Sequence, residues 1–334
     1  MSNSSVHGEF ALIRDFLTGL GAPREDVLVD IGDDCALTRL PPGFELAFSI
    51  DTLVSGRHFF PDCDPTRLGH KSLAVGLSDL AAMGATPAWA TLALTIPQAE
   101  PLWLQAFAQG LHRLACRHSL RLVGGDLTRG PLTISIQVMG LVKPEHAILR
   151  SGASPGDAIM VSGTLGDAGL ALQSLLSRDK HPAAHLDPQL RDRLERPTPR
   201  VALGCQLVGI ASAAIDVSDG LVADLGHLLD QSRCGANLEL AALPLTEQVA
   251  RVVTQQDDWA IPLTSGDDYE LCFTVPQENL DQALALDNQF GCSVTIIGQV
   301  TEAPNIRLVL PDGQKMDLSE QKNGPTGFDH FCAD

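Results

Sequence analysis

Two rhythms of apolar and polar positions alternate along this chain. The run ELAFSID (45–51) follows a PPG turn signal and predicts a strand. Across 64–87, Leu68, Leu73, Leu77, Leu80 and Ala81 recur at helical spacing. Asp64 is placed to cap that helix, Pro65 suits its first turn, and Gly84 with Pro87 ends it. A second helix is predicted over 103–119, then a short strand over 120–126. The segment PLTISIQVMGLV (131–142) alternates as a strand with one solvated face.

The same rhythms return further on. AIMVSG (158–163) reads as a strand and DAGLALQSLLS (167–177) as a helix. Residues 178–199 are polar and broken by prolines, and they predict a surface segment. ASAAID (211–216) is a strand leading into a helix over 221–233, with Leu221, Leu225, Leu228 and Leu229 on one face. YELCFTV (269–275), VTIIGQV (294–300) and IRLVLPDG (306–313) complete a second sheet. Between the halves, 143–156 is rich in glycine and proline turns. The expected organisation is an N-terminal domain over 1–143 and a C-terminal domain over 144–334, both α/β with mixed sheets.

Charge narrows the partners. Forty-one acids against 23 bases give a formal charge of −18 over 334 residues. Phosphate-backbone binding needs clustered Lys and Arg, so nucleic acid and anionic membrane are not expected partners. Eight scattered cysteines form no CxxC pair, the start lacks a signal peptide's pattern, and no apolar run is long enough to span a bilayer. A reducing cytoplasm is the expected setting.

The candidate chemistry lies in where the aspartates fall. Asp51, Asp126 and Asp216 end predicted strands, and Asp219 opens the helix that follows Asp216. Asp33 and Asp34 sit in IGDDCA, Asp267 and Asp268 precede a strand, and Asp79 interrupts a helix. Singly, each has an ordinary role as cap, turn residue or exposed acid. Asp224 reads as a solvated or capping residue, and Asp79 as an exposed one. Ligands of α/β sheets bind near strand C-termini, so the recurrence there points to convergence. Two unit charges about 4 Å apart at an effective dielectric near 20 repel by roughly 4 kcal/mol. Divalent cations would relieve this, and hard oxygen ligands suit Mg²⁺ or Mn²⁺, which commonly bridge to substrate phosphates. There is no P-loop; SGTLGDAG (162–169) lacks its Lys and is equally a structural turn. Arg57, Lys71, Arg129 and Arg150 are the basic candidates for phosphate.

In order along the chain, GEFALI, IGDDCA, IDTLVSGRHF, KSLAVGLSDLAAMGATPAW, LVGGDLTRGPL, RSGASPGD, IDVSDGLVADLGH, SGDDYELCFTV and GFDHF resemble the motifs of the thiamine-monophosphate kinase family. That family belongs to the superfamily of aminoimidazole ribonucleotide synthetase. The resemblance runs from Gly8 to Phe331. It implies two α/β domains of that superfamily's type, the N-terminal one dimerising through its sheet, hence a homodimer. It also implies ATP-dependent phosphorylation of thiamine phosphate to thiamine diphosphate by direct in-line transfer, with several Mg²⁺ ions.

By motif, the implied metal ligands are Asp34, Ser49, Ile50, Asp51, Asp79, Asp126, Asp216 and Asp219. Ile50 stands where Thr is common, so only its carbonyl could ligate. Gly125, Asp126, Arg150 and Ser218 would contact ATP; His58, Asp267 and Phe328 would contact thiamine phosphate. Gly76, Asp267 and Phe328 depart from the usual Asn, Glu and Tyr or Trp. The resemblance gives the N-terminal domain metal and ATP binding, and the C-terminal domain completion of the ATP and thiamine phosphate site. No residue is assigned as a general base, because the acceptor phosphate, with a second pKa of about 6, is already largely ionised. The alternatives are another ATP-dependent enzyme of the superfamily, such as selenophosphate synthetase, and a non-catalytic metal- or nucleotide-binding protein. The first would carry a reactive Cys or selenocysteine and a Lys in a glycine-rich N-terminal segment, whereas no Cys precedes Cys35.

Overall fold

The computed structural model describes residues 8–177, 187–256, 258–318 and 327. Phe328 lies outside them. The chain divides into two compact units, Met1–Leu80 with Ala85–Glu145, and Ala81–Gly84 with His146–Asp334.

The first unit runs α1 (Glu9–Leu12), β1 (Val27–Val29), β2 (Leu37–Thr38), β3 (Glu45–Val54), α2 (Pro65–Ala82), β4 (Thr86–Ile96), α3 (Pro101–Arg117), β5 (Arg121–Arg129) and β6 (Thr133–Val142). Its main sheet has the order β3-β6-β4-β5, antiparallel except for β4 and β5, the parallel strands of a β-α-β crossover through α3. Asp64 caps α2 as its sequence promised, accepting the Arg67 N–H at 3.0 Å. Gly84, at φ +66°, turns the chain out of the helix. Glycine also sets how closely α2 and α3 approach. A Cβ on Gly69 would lie 2.0 Å from the Phe107 carbonyl, and one on Gly110 would lie 1.9 Å from that of Thr66.

Strand β6 alternates as expected, with Ile134, Ile136 and Val138 buried. Strand β4, the neighbour it pairs with, has no counterpart in the sequence reading. Its register shifts twice, at Pro87/Trp89 and Ala90/Thr91, and Pro87–Ala90 are buried without a break. Those shifts erase the period-2 signal.

The second unit contains β7 (Ala158–Ser162), α4 (Asp167–Ser177), α5 (Pro188–Glu195), α6 (Val201–Leu207), β8 (Ala213–Asp216), α7 (Leu221–Ser232), β9 (Gly235–Glu239), α8 (Glu247–Gln256), α9 (Ala260–Thr264), β10 (Leu271–Val275), α10 (Leu280–Leu284), β11 (Val294–Thr301), β12 (Ile306–Val309) and β13 (Lys315–Asp317). Its sheet has the order β13-β12-β9-β11-β7-β10-β8, with only β9 and β12 parallel. The apolar face of α7 (Leu221, Leu225, Leu228, Leu229) packs in one core with Ile159, Val161, Ile215 and Ile297.

One expectation fails here. The polar stretch after 178 is not all surface: Asp187 caps α5 through the Gln189 N–H, Leu190 and Leu194 join a core with α4 and α8, and Glu195 and Arg200 are buried. Charged residues hid the helix because they serve the interior.

Candidate active site

Strand alternation separates two chemistries on β3. Ser49 and Asp51 pair with Val138 and Ile136 and share their covered face, whereas Phe48 and Ile50 point the other way, 66% and 64% exposed. Asp79 of α2 meets the first pair. It is half-buried rather than exposed, and its Oδ2 accepts the Ser49 hydroxyl at 2.5 Å. Gly76, one turn earlier, puts no side chain between α2 and Asp51; a Cβ there would lie 3.4 Å from Asp51 Oδ2. That oxygen is buried and accepts no hydrogen bond. Burial first, then the charge of Asp79 and hydrogen bonding to its carboxyl, raise the Asp51 pKa to about 7.

Of the other candidates of this unit, Asp34 and His58 stand in turns, whereas Gly125 and Asp126 lie inside β5, which runs on to Arg129. Asp126 does not end its strand as the sequence predicts, and neither does Asp51, since β3 continues to Val54. Asp34 is exposed, in a turn where Asp33 Oδ1 accepts the Asp34 N–H. Gly125 and Asp126 border a small pocket walled by Ile13, Leu17, Ile31, Leu92 and Leu122. Gly125 is required by the sheet, since a Cβ would sit 1.8 Å from the Leu92 carbonyl oxygen. His58 follows β3 in a turn. Its Nδ1 accepts the Val54 N–H at 3.0 Å, so the neutral ring carries its proton on Nε2. Lys71 is 4% exposed and its Nζ lies 3.5 Å from the His58 carbonyl.

In the second unit, Asp216 is buried at the end of β8, Ser218 and Asp219 follow in the loop before α7, and Arg150 is exposed. Asp224 is only 3% exposed, which overturns the solvated reading. It caps by folding back, its Oδ2 accepting the N–H groups of Ser218, Asp219 and Gly220 at 2.9, 2.9 and 3.1 Å. Burial pushes its carboxyl up to about 7 despite those bonds.

The 265–270 loop is bonded to the same segment. The Asp267 N–H donates to the Ser218 carbonyl and the Tyr269 N–H to that of Val217, both at 2.8 Å. Asp267 and Tyr269 adopt left-handed backbone, φ +68° and +49°, a strained conformation for side chains of this kind. The Tyr269 hydroxyl donates to Asp267 Oδ1 at 3.0 Å.

The intervening acids face a buried ionic group that the sequence reading missed. Glu270, fully buried, accepts from Arg193 at 2.8 Å, from Arg200 through both Nε and Nη2, and from Ser162. Asp268 Oδ2 accepts the Gly166 N–H in the glycine-rich segment, and Oδ1 is buried without a hydrogen-bond partner. Burial, opposed by the charge of Arg193, raises the Asp268 carboxyl to about 7. Those partners lie 70 and 77 residues from Glu270, beyond any local motif.

Among the described residues, no three or more His, Cys, Asp or Glu side chains gather as a metal site. Ser49, Asp51 and Asp79 are therefore the predicted ligands brought together, and neither Asp34 nor Asp126 joins the two acids in such a group. The chemistry of these three groups is nevertheless compatible with a hard divalent cation. The donors are all oxygen, two carboxylates repel one another, and one buried oxygen accepts nothing.

The chain matches two family models, AIR synthase related protein, N-terminal domain, over residues 32–142, and AIR synthase related protein, C-terminal domain, over 154–311. It is 45% identical to the thiamine-monophosphate kinase of Escherichia coli K12 over 328 residues, 97% of this chain and 98% of that protein. The Salmonella typhimurium enzyme of the same name is 46% identical over the same shares. The crystal structure of thiamine-monophosphate kinase from Stenotrophomonas maltophilia superposes with a TM-score of 0.81 at 43% identity, covering 87% of this chain and 92% of the other. AaThiL complexed with AMPPCP and TMP gives 0.75 at 30% identity over 90% and 92%. The chain belongs to the thiamine-monophosphate kinase family.

Proposed function

We propose that this chain transfers a phosphoryl group from ATP to thiamine phosphate, giving thiamine diphosphate and ADP, with Mg²⁺ as the metal. The observation that carries the metal-assisted reading is the Ser49–Asp51–Asp79 group, a half-buried pair of carboxylates with one buried oxygen left without a donor. Kinship with enzymes named for this activity, one structure of which is complexed with AMPPCP and TMP, supports the choice of substrates. Both reactants are anions, and a divalent cation supplies the charge neutralisation that lets their phosphates approach.

In this reading Ser49, Asp51 and Asp79 hold the metal in the first unit, with Asp34, Asp126 and the Ile50 carbonyl as further donors. Asp216 and Asp219 serve that role in the second. Gly125, Asp126, Arg150 and Ser218 bind ATP. His58 presents Nε2 to the thiamine phosphate, and Asp267 presents a carboxylate fixed by Tyr269. The chain needs no general base, because the attacking phosphate oxygen is already ionised. Thiamine diphosphate formation from ATP and thiamine phosphate, followed by chromatography with Mg²⁺ and with a chelator, tests the reading. Product is expected with metal only; folded protein that makes none with Mg²⁺ or Mn²⁺ overturns it.

The reading includes a cytoplasmic homodimer. Seven cysteines are free among the described residues, as suits a reducing compartment, and no helix there is long and apolar enough to cross a membrane. The dimer rests on the open face of β3, where Leu46, Phe48, Ile50 and Val54 are exposed side by side. Phe48→Glu is expected to change the mass in light scattering from twice the 35.5 kDa chain to one chain. The substitution faces away from Ser49 and Asp51, so an unchanged dimer mass would remove this face as the interface.

A further inference from the structure

We infer that Asp224 is a positioning residue for both substrates, fixing the Ser218–Gly220 loop through its backbone amides; the inference rests on the kinase reading. Three consecutive N–H groups converge on one oxygen of a carboxylate that is 3% exposed. Consecutive amides turned to one side form a concavity that favours an anion. In a protein that handles phosphates this would be a natural phosphate cradle, yet the protein fills it with its own carboxylate. The amides are therefore committed to structure, and phosphate recognition falls to the side chains this loop carries.

Each peptide plane turned by Asp224 has its carbonyl turned elsewhere. The carbonyls of Val217 and Ser218 accept from Tyr269 and Asp267, and the Val217 N–H donates to the Glu270 carbonyl. Glycine makes the two loops fit: a Cβ on Gly266 would lie 2.1 Å from the Ser218 oxygen, and one on Gly220 would lie 2.7–2.8 Å from the Thr264 backbone. Asp224 thus orients Ser218 and Asp219 directly. Through two carbonyls it also holds Asp267 in its left-handed backbone. The ATP-side and thiamine-phosphate-side groups of this unit share one anchor.

Removing the acceptor should let the loop relax, and displacement of reacting groups by about 1 Å costs up to 10²-fold in rate. Asp224→Ala is expected to lower kcat/KM for ATP and for thiamine phosphate together, by roughly 10- to 100-fold. Asp224→Asn keeps a carbonyl oxygen for the three amides and should recover to within about fivefold of wild type. Opening the cradle should also make the alanine variant sensitive to inorganic phosphate as an inhibitor, while the asparagine variant stays as insensitive as wild type. Hydrogen exchange at residues 218–220 gives a readout independent of turnover, faster in the alanine variant and near wild type in the asparagine one.

Folded Asp224→Ala with both kcat/KM values within about threefold of wild type overturns the inference, as does an asparagine variant no better than alanine. If the alanine variant does not fold, Asp224→Glu moves the acceptor by one methylene and takes its place with the same expectations. Wild-type protein in the same assay separates the two levels. An inactive wild type sinks the kinase reading, and an active wild type beside an unimpaired variant sinks only the role of Asp224.

Discussion

Asp51→Asn should stabilise the metal-free protein and nearly abolish its activity. Both effects follow from one oxygen pair. Without metal, an Asp51 carboxylate with one buried oxygen faces Asp79, and the folded protein holds the Asp51 proton more tightly than the unfolded chain does. The sign follows directly. A carboxyl whose pKa is raised on folding takes up protons on folding, so stability falls as pH rises from about 4 to about 7 and the full penalty stands above that. Asparagine cannot ionise, so the metal-free variant should melt above wild type at pH 8, and the gap should close toward pH 4. Added Mg²⁺ should raise the wild-type melting temperature and leave that of the variant almost unmoved. Loss of a carboxylate that holds the charge-neutralising cation should cost at least what loss of one transition-state-stabilising donor does, about 10²–10³-fold in kcat. Thermal melts across pH, with chelator and with Mg²⁺, check the physical half independently of turnover. A variant with wild-type Mg²⁺ response, or with no added stability at pH 8, would sink the assignment of Asp51.

How much of this was legible beforehand depends on the distance between partners. The strand predicted over 45–51 and the helix predicted over 64–87 are both present and carry Ser49, Asp51 and Asp79, but Asp79 looked exposed in the sequence because only the tertiary fold brings it to Ser49, 30 residues away. The cap at Asp64 and the end at Gly84 were local. Asp224 misled because a single acid on a helix looks the same whether it faces water or folds back on its own N-terminus. What distinguishes the two is the left-handed Gly220, φ +116°, and the loop it closes. Strand β4 was hidden by its two register shifts. Arg193 lay in a polar tract and Arg200 just beyond its end, and only the tertiary fold brings them to Glu270.

That last cluster carries the second large effect. Glu270→Gln should destabilise the protein by roughly 3–5 kcal/mol, the usual cost of removing one partner from a buried ion pair. The carboxylate answers two guanidinium groups at once, with Arg200 binding it through two nitrogens and Arg193 through one. Its remaining bond comes from Ser162, whose oxygen in turn accepts the Leu271 N–H at the start of β10. Glutamine keeps the shape but loses the charge, and it turns an NH₂ toward donors. Arg193 would retain Asp167, 3.5 Å away, but that acid already accepts from Thr164 and Thr246. Asp268 cannot make good the loss cheaply, since burial already favours its protonated form. At about 2–4 °C per kcal/mol for a unit of this size, the melting temperature should fall by about 10 °C. Replacing Glu270, Arg193 and Arg200 together by apolar residues of similar volume should recover much of that, because the desolvation penalty leaves with the charges. The same substitution should raise KM for thiamine phosphate at temperatures where the variant is folded, because Glu270 anchors the segment that holds Asp267. A melting temperature within about 2 °C of wild type would mean that the two arginines do not depend on Glu270 for their burial.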